Sequence, residues 1–578
     1  MRRTLILAIA LGCSMAGSAQ AAAVPDLPAS PDAREFVLKE AGGQLVCSES
    51  SAIRLARPVR AVEVHPINHL DSGRSPQAER TSLTVQLRGT AQLEAFPLAK
   101  AAFIRAAAVW ENLVASPITV IVDVDFGVNR FGVPFPANVL GSTGSDSRLN
   151  ATGYPSLRSA LISSFPASPV YQALPTVSVP TDLGPVASIT TPSSTFRVVG
   201  LLPAAADPNG TVPSIGFNSA FPYDFDPSDG IDAGRRDFEA VAAHEIGHVL
   251  GFVSSVGGTE LDSPRSPSLS TWDLFRFRPG AAQGGFTTSG RVLSSGGSQV
   301  FSRGSTETAL STGRPDGTGG DGQQASHWKD DAQSGQYVGI MDPTLSKAVH
   351  PVITAQDLLV LDALGYTVAP RPAAQVTGIS PGSVAQYRID ADVAIQGVGF
   401  ASGATATLDG RLIPSRVVSS TQMQATLPAS SLLTSASSKA VGVLNPAAAP
   451  SGTTPVNVTA AAGCPGDAST LCLNNGRFLV RADWTDATGN TGHATAVSLT
   501  GDTGYFWFFS ASNIEVVVKA LNGCAFNSNY WVFAGGLTNV DVLLTVADTQ
   551  QGAVKTYRNT INTAFAPIQD TTAFATCP

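Results

Sequence analysis

DFEAVAAHEIGHVLGFVSS, residues 237–255, decides how the rest of the chain is read. Asp237 is a helix-capping residue type, Phe238, Val241, Ala242, His248 and Val249 fall at helical spacing, and Gly251 offers a stop. The spacing predicts a capped, amphipathic helix. His244 and His248 stand four apart, so both imidazoles lie on one face and can reach one Zn²⁺. Glu245, beside the first histidine, is then placed to act as general base for the attacking water. By chance this His-Glu-x-x-His pattern arises in roughly two chains per thousand. A zinc hydrolase is the expectation.

On the N-terminal side, a folded unit is expected to begin at about Phe96. Pro97 suits a first helical turn, and Phe103, Ala107, Trp110 and Val114 form one apolar stripe. Ser116-Pro117 ends that helix. In ITVIVDVDF, residues 118–126, Ile118, Val120, Val122 and Val124 alternate to one side, as in a half-buried strand. Helix then strand is the start of an α+β layer. Residues 134–212 are rich in Ser, Pro and Gly and give no clear pattern, while residues 213–226 read as a strand and a turn. Residues 22–85 read as polar and irregular, with one helix and one strand; 22–89 is a candidate pro-segment. Cys47 is then a candidate thiolate that blocks the zinc before activation.

On the C-terminal side, a Gly-, Ser- and Thr-dominated insertion runs to about Ala325, with TWDLFRF (271–277) as a strand. Such an insertion beyond a catalytic helix often walls a cleft. Thr354 to Leu364 reads as a closing helix, with Thr354 and Asp357 as a capping box and Gly365 as its stop. From about Ala374 the pattern changes to short alternating strands and turns. Gly378-Ile-Ser380-Pro-Gly382 has the form of a hydrolase nucleophile elbow, but Pro381 and Gly382 oppose the helix that motif needs, so it reads as a turn.

The 578 residues suffice for three or four domains. Only 14% are charged, with 55 Gly and 39 Pro, which suits β-rich modules. A net charge of −8 without a basic cluster argues against a nucleic-acid partner. Residues 1–21 read as a Sec-type signal peptide, cut after Ala21 or Ala23; Cys13 invites a lipoprotein reading that Ala10 opposes. No later apolar run reaches membrane-spanning length, so a secreted or periplasmic protein without a membrane span is expected. Four cysteines (Cys464, Cys472, Cys524, Cys577) crowd the C-terminal region, where two disulfides with three possible pairings are expected. Strands are expected at 505–509, 513–521, 530–533 and 540–548. Their aromatics suit a core, with a carbohydrate-stacking or cell-surface contact as the alternative.

The zinc-helix stretch resembles the metzincin class of zinc peptidases, whose signature is His-Glu-x-x-His-x-x-Gly-x-x-His followed by a methionine turn. The chain matches through Gly251, but Ser254 stands in the third histidine's place. In the leishmanolysin-like branch the third histidine arrives after a long insertion, in a Ser-His-Trp context, with the methionine turn soon after. Gly251-Phe252, Ser326-His327-Trp328 and Met341-Asp342-Pro343 follow that order here. The resemblance covers roughly residues 90–370. It implies zinc on His244, His248 and His327, Glu245 as base, and Met341 as an apolar floor. Asp262 and Asp273 are the alternatives for third ligand. His65, His69 and His493 lie outside this region, and His350 follows the methionine turn. Calcium (Ca²⁺) is admissible as a second ion, but no motif supports it. Residues 374–460 resemble an IPT/TIG-type immunoglobulin-like domain through VTGISPGS (376–383), GVGF (397–400) and VGVLNPAAAPSG (441–452).

The expected fold is therefore multidomain: an α+β metzincin-like catalytic domain (90–370), then two all-β, sandwich-type modules (374–460 and 461–578). The expected function is a secreted zinc-dependent endopeptidase acting on protein or peptide substrates. Its rival is an exported adhesin or binding protein carrying an inactive metallopeptidase-like domain.

Overall fold

A computed structural model describes residues 35–41, 44–49, 62–69, 82–146, 148–149, 153–260, 265–314, 319–433, 435–461, 463–464 and 466–578. The expected signal peptide, Cys13 and Asp262 lie outside the described residues.

The first part of the chain is built on one twisted sheet. Its strands are β1 (Glu35–Ala41), β2 (Gln44–Glu49), β3 (Val64–Pro66), β4 (Thr84–Thr90), β5 (Thr119–Gly127), β6 (Val139–Gly144), β7 (Ser214–Asn218) and β8 (Thr344–Leu345). They lie in the order β8-β2-β1-β6-β7-β5-β4-β3. β5 runs parallel to β4 and β7, while β6, β1, β2 and β8 continue antiparallel. Three of these strands, β1 to β3, come from a segment read as irregular with one strand and one helix; its described residues contain no helix. Their pattern is short and interrupted; β1 and β2 pair with each other as a hairpin, and the distant β6 and β8 complete their outer edges.

The helices longer than two turns are α1 (Pro97–Leu113), α2 (Gly153–Ser164), α3 (Phe238–Leu250) and α4 (Ala355–Ala363). α1 buries Phe103, Ala107 and Trp110 of the expected stripe, with Pro97 in its first turn. It packs on α3: the Trp110 indole donates to the Ala243 carbonyl at 2.9 Å. Phe238, the first residue of α3, sits edge-on to Phe103, Phe126, Phe217 and Tyr223, with ring centres 5.1–5.3 Å away. Edge-to-face aromatic pairs add about 0.5–1.5 kcal/mol each beyond their buried area, so this cluster fixes where α3 begins. β5 is buried on both faces, not one. Its inward Asp125 is satisfied by Thr90, Gln92 and the Phe131 amide.

Beyond this part the chain is strands and turns, with two four-residue helices at Ala429–Leu432 and Cys524–Asn527. Residues 375–459 form a four-stranded and a five-stranded sheet around one apolar core. Ser380 ends a strand and no helix follows, so the elbow-like motif is a turn. Residues 471–574 form two further five-stranded sheets around a separate core, with strands at 503–507, 516–522, 530–536 and 541–548. Disulfides join Cys464 to Cys472 and Cys524 to Cys577. Among the described residues no helix is long and apolar enough to cross a membrane.

Candidate metal centre

The local chemistry of α3 follows its sequence closely. The Asp237 side chain accepts from the Ala240 amide at 3.0 Å, capping the helix start. Gly251 closes the helix at φ 126°, a region that disfavours any side chain. The helix is not amphipathic, however: every residue from Phe238 to Leu250 except Glu239 is buried. The face expected to meet solvent is covered by β1, β2 and the methionine turn.

His244 and His248 project from α3 and meet His327, which arrives from 83 residues after His244. Each ring is held by a backbone carbonyl at Nδ1: His244 by Ile340 at 2.7 Å, His248 by Phe252 at 2.6 Å, His327 by Gln324 at 2.9 Å. A carbonyl can only accept, so each Nδ1 carries the proton and each Nε2 keeps a bare lone pair. Burial keeps the rings neutral. It pushes His244 down to about 4 despite the Ile340 carbonyl. It drives His248 and His327 well below the usual imidazole value, with the neighbouring imidazoles adding to the effect. The Nε2 atoms of His244 and His327 nonetheless lie 3.2 Å apart. Two lone pairs at that distance repel unless a cation sits between them. Zn–N bonds of about 2.0–2.1 Å in a tetrahedron put ligand nitrogens about 3.3 Å apart, which matches. The donor set fits zinc.

Glu245 lies beside this point, fully buried, and neither carboxylate oxygen has a hydrogen-bond partner of good geometry. Burial pushes its carboxyl up to about 8, with the Thr143 hydroxyl and the Arg130 charge pulling the other way. A buried carboxylate left unpaired costs stability. Its presence needs a reason other than folding. Met341 is buried under the histidines, and Gly247 makes room for it: a Cβ there would sit 2.5 Å from the Met341 sulfur.

The elements that deliver His327 were not legible in the sequence. Ser254, where a third histidine was expected, donates its amide to the Ser326 hydroxyl at 2.7 Å and so anchors the residue next to His327. The alternative ligand Asp273 is used otherwise. It accepts from the Ser254 hydroxyl at 2.6 Å and from the Ser255 and Ser270 amides at 2.8 Å. These bonds also turn the expected strand at 271–277 into a 3-10 turn at Trp272–Phe275 with only Arg276–Phe277 extended. Asp357, read only as a capping residue, does more. It accepts from the Thr354 amide at 2.7 Å, the Ile340 amide at 2.9 Å and the Trp328 indole at 2.8 Å. One buried carboxylate thus ties α4 to the methionine turn and to the neighbour of His327.

The other histidines stand apart. His65 and His69 pair with Glu94 and Glu111 at the surface, and His493 pairs with Asp483. His350 bonds the same Asp237 that caps α3. The fourth member of the centre is Cys47, which is not in a disulfide. Its sulfur and the three imidazoles offer ligand atoms all within 4.8 Å of one another. A second acidic group, Asp330, Asp331 and Asp342, is engaged in capping turns around Ala332 and Thr344.

No protein-family model matches the chain, and no curated protein matches it either.

Proposed function

We propose that this chain is an exported zinc endopeptidase of the leishmanolysin-like metzincin kind, with the β modules as spacers or contact surfaces. The observation that carries the reading is the pairing of three neutral imidazoles, all aiming bare Nε2 lone pairs at one point, with an adjacent buried, unpaired Glu245. The order of His244, His248, His327 and Met341 along the chain supports the family resemblance, and the disulfides suit an oxidising, extracytoplasmic compartment.

His244, His248 and His327 would hold a zinc ion, which would supply the Lewis acidity that polarises a scissile carbonyl and makes water a nucleophile at neutral pH. The chain's own residues do the rest. The three carbonyls behind the imidazoles fix each ring's tautomer and direction. Glu245 takes the attacking water's proton on a carboxylate oxygen and passes it to the leaving amine nitrogen. Met341, seated in the Gly247 notch, keeps the floor apolar and rigid.

The rival is a binding protein whose cysteine and three histidines form a closed structural site. The position of Cys47 favours it; Glu245 is what it leaves unexplained, since a structural zinc needs no base. Casein digestion separates the two. Purified protein, as wild type and as Cys47→Ala, is assayed with and without a zinc chelator, with metal content measured alongside. The peptidase reading expects chelator-sensitive digestion restored by zinc. Metal-loaded protein inert in both forms would leave the binding-protein reading.

A further inference from the structure

We propose that the outer face of one sheet in the last module is a self-association surface, on which a second copy of this chain stacks sheet to sheet. The face is made by the strands Thr495–Ser498, Thr503–Trp507, Val516–Asn522, Tyr530–Gly536 and Ile568–Phe574, side by side in that order.

Side chains alternate across a strand, so each of these strands has an inward and an outward set. Phe506, Val516, Val518, Val532 and Ala534 point inward and build the module's core. On a solvated antiparallel sheet the outward set is polar. Here it is Tyr505, Trp507, Val517, Leu521, Trp531 and Phe533, none of them part of that core. Val517 is 37% exposed and the other five are half-buried. The register brings them together, with Tyr505 opposite Val517 and Leu521 opposite Trp531. Phe526, 80% exposed, extends the patch beyond Trp531, the two ring centres lying 5.6 Å apart. The module's other sheet is already engaged. Its Leu479 and Ala547 pack on Ile389 and Leu433, Arg481 bonds Asp390 at 2.7 Å, and Arg558 donates to the Ala233 carbonyl at 3.0 Å. The aromatic sheet therefore faces away from the rest of the chain. A contiguous apolar face in that position marks an interaction site.

Size, charge and shape select a second copy as the occupant. Five strands about 4.8 Å apart, rising about 3.3 Å per residue, span about 20 by 20 Å, or roughly 400 Å² of flat face. Interdigitating side chains bury more than the flat area, so two copies together reach the total of about 1,000 Å² that a specific interface needs. Lys519, in the middle strand, carries the charge of the face, and Asp502 of the same chain lies 3.9 Å from it. Two faces related by a two-fold axis can set each Lys519 against the other copy's Asp502, so like charges do not oppose the pairing. Gly535, opposite Val517, leaves a hollow: a Cβ there meets nothing within 4 Å. The Phe533 ring stands two residues away on the same outward side, giving the knob and hollow that a self-complementary surface requires. A sugar is the poorer fit. It needs donors and acceptors set between the rings, whereas the middle strand sets Val517 and Leu521 there.

The test is sedimentation velocity of the full chain across a wide range of micromolar concentrations. Wild type should sediment as a dimer that dissociates on dilution. Val517→Glu and Phe533→Glu, which put a charge on the face, should be monomers where wild type is a dimer, with circular dichroism and disulfide mass unchanged. Leu98→Glu, at a 67% exposed position on α1, should leave the dimer intact. Phe533→Thr keeps a strand-forming residue and covers the case in which a charged variant fails to fold. It should weaken the dimer at least about tenfold, as truncating a central aromatic does. A wild type that stays monomeric throughout, or a dimer that Val517→Glu, Phe533→Glu and Phe533→Thr all leave untouched, overturns the inference. Monomeric wild type held by a chitin column, and released from it by Phe533→Thr, would give the face to a sugar and overturn it equally.

Discussion

The sheet region that carries the three histidines and the last β module treat buried ionisable groups in opposite ways. In the module, Arg477 lies buried against Asp548 at 3.1 Å, and Asp548 also accepts from Thr576 and the Gln550 amide. Both oxygens of Asp548 and both terminal nitrogens of Arg477 are met, with only Arg477 Nε left over, so the pair serves the fold. Around α3, Glu245 is buried with neither oxygen paired, and three imidazoles point lone pairs at one another. Folding gains nothing from that arrangement. The contrast locates function in one region and stability in the other, by physical cost alone.

The largest expected effect is on catalysis. Glu245→Gln should keep the metal and cut peptide hydrolysis by about 10²–10⁴-fold, measured on casein in the Cys47→Ala background. It should leave the thermal unfolding of the metal-free protein little changed, because burial raises the Glu245 carboxyl to about 8 and so already keeps it uncharged at neutral pH. Activity within a few-fold of its parent would break the comparison.

Asp548→Asn should do the reverse. Leaving Arg477 buried and unpaired costs about 3–5 kcal/mol, read as a lower unfolding midpoint of the last module, with metal content unchanged. A silent substitution would mean that the module's charges are not there for stability.

Next come the disulfides. Intact and fully reduced protein should differ by four hydrogens in mass, reflecting the Cys464–Cys472 and Cys524–Cys577 bridges. Each bridge is worth about 2–4 kcal/mol, more for a longer loop. The Cys524–Cys577 bridge, separated by 53 residues, should therefore matter more than Cys464–Cys472, separated by 8. Reduction that releases the metal before it loosens the module would contradict the separation of roles.

The smallest effect concerns pH. Burial pulls His350 down, but the Asp237 charge and hydrogen bond, with the Glu239 charge, hold it above its ordinary value of 6.5. A raised folded-state value means stability that is fully present below the unfolded value and is lost as pH rises through the folded one. Thermal melts of wild type should therefore lose this increment on going from mildly acidic to mildly alkaline buffer. His350→Gln should flatten that slope and keep the metal. An unchanged slope would remove His350 from the account.

How much of this was legible depended on distance along the chain. α3, its Asp237 cap, its Gly251 stop and the pairing of His244 with His248 are local, so spacing alone predicts them. The capping box of α4 and the strands of the last module are local too. His327 came from a resemblance, because no periodicity links it to a helix 83 residues earlier. α2 was missed inside a Ser- and Pro-rich stretch whose propensities oppose a helix. The burial of α3 on all sides was missed because the covering strands lie 201 residues away, as Cys47 does from His248. Asp357 was seen as a cap because that bond is local; its bonds to Ile340 and Trp328 exist only in the folded chain.

The central claim is that His244, His248 and His327 together hold one catalytic zinc. It is tested most directly by the zinc content of purified wild type, His327→Ala and His350→Ala after dialysis against a weak chelator. The account predicts one zinc per chain in wild type and in His350→Ala, and loss of most of it in His327→Ala. Zinc retained by His327→Ala as firmly as by wild type, or a wild type that takes up none, would contradict it.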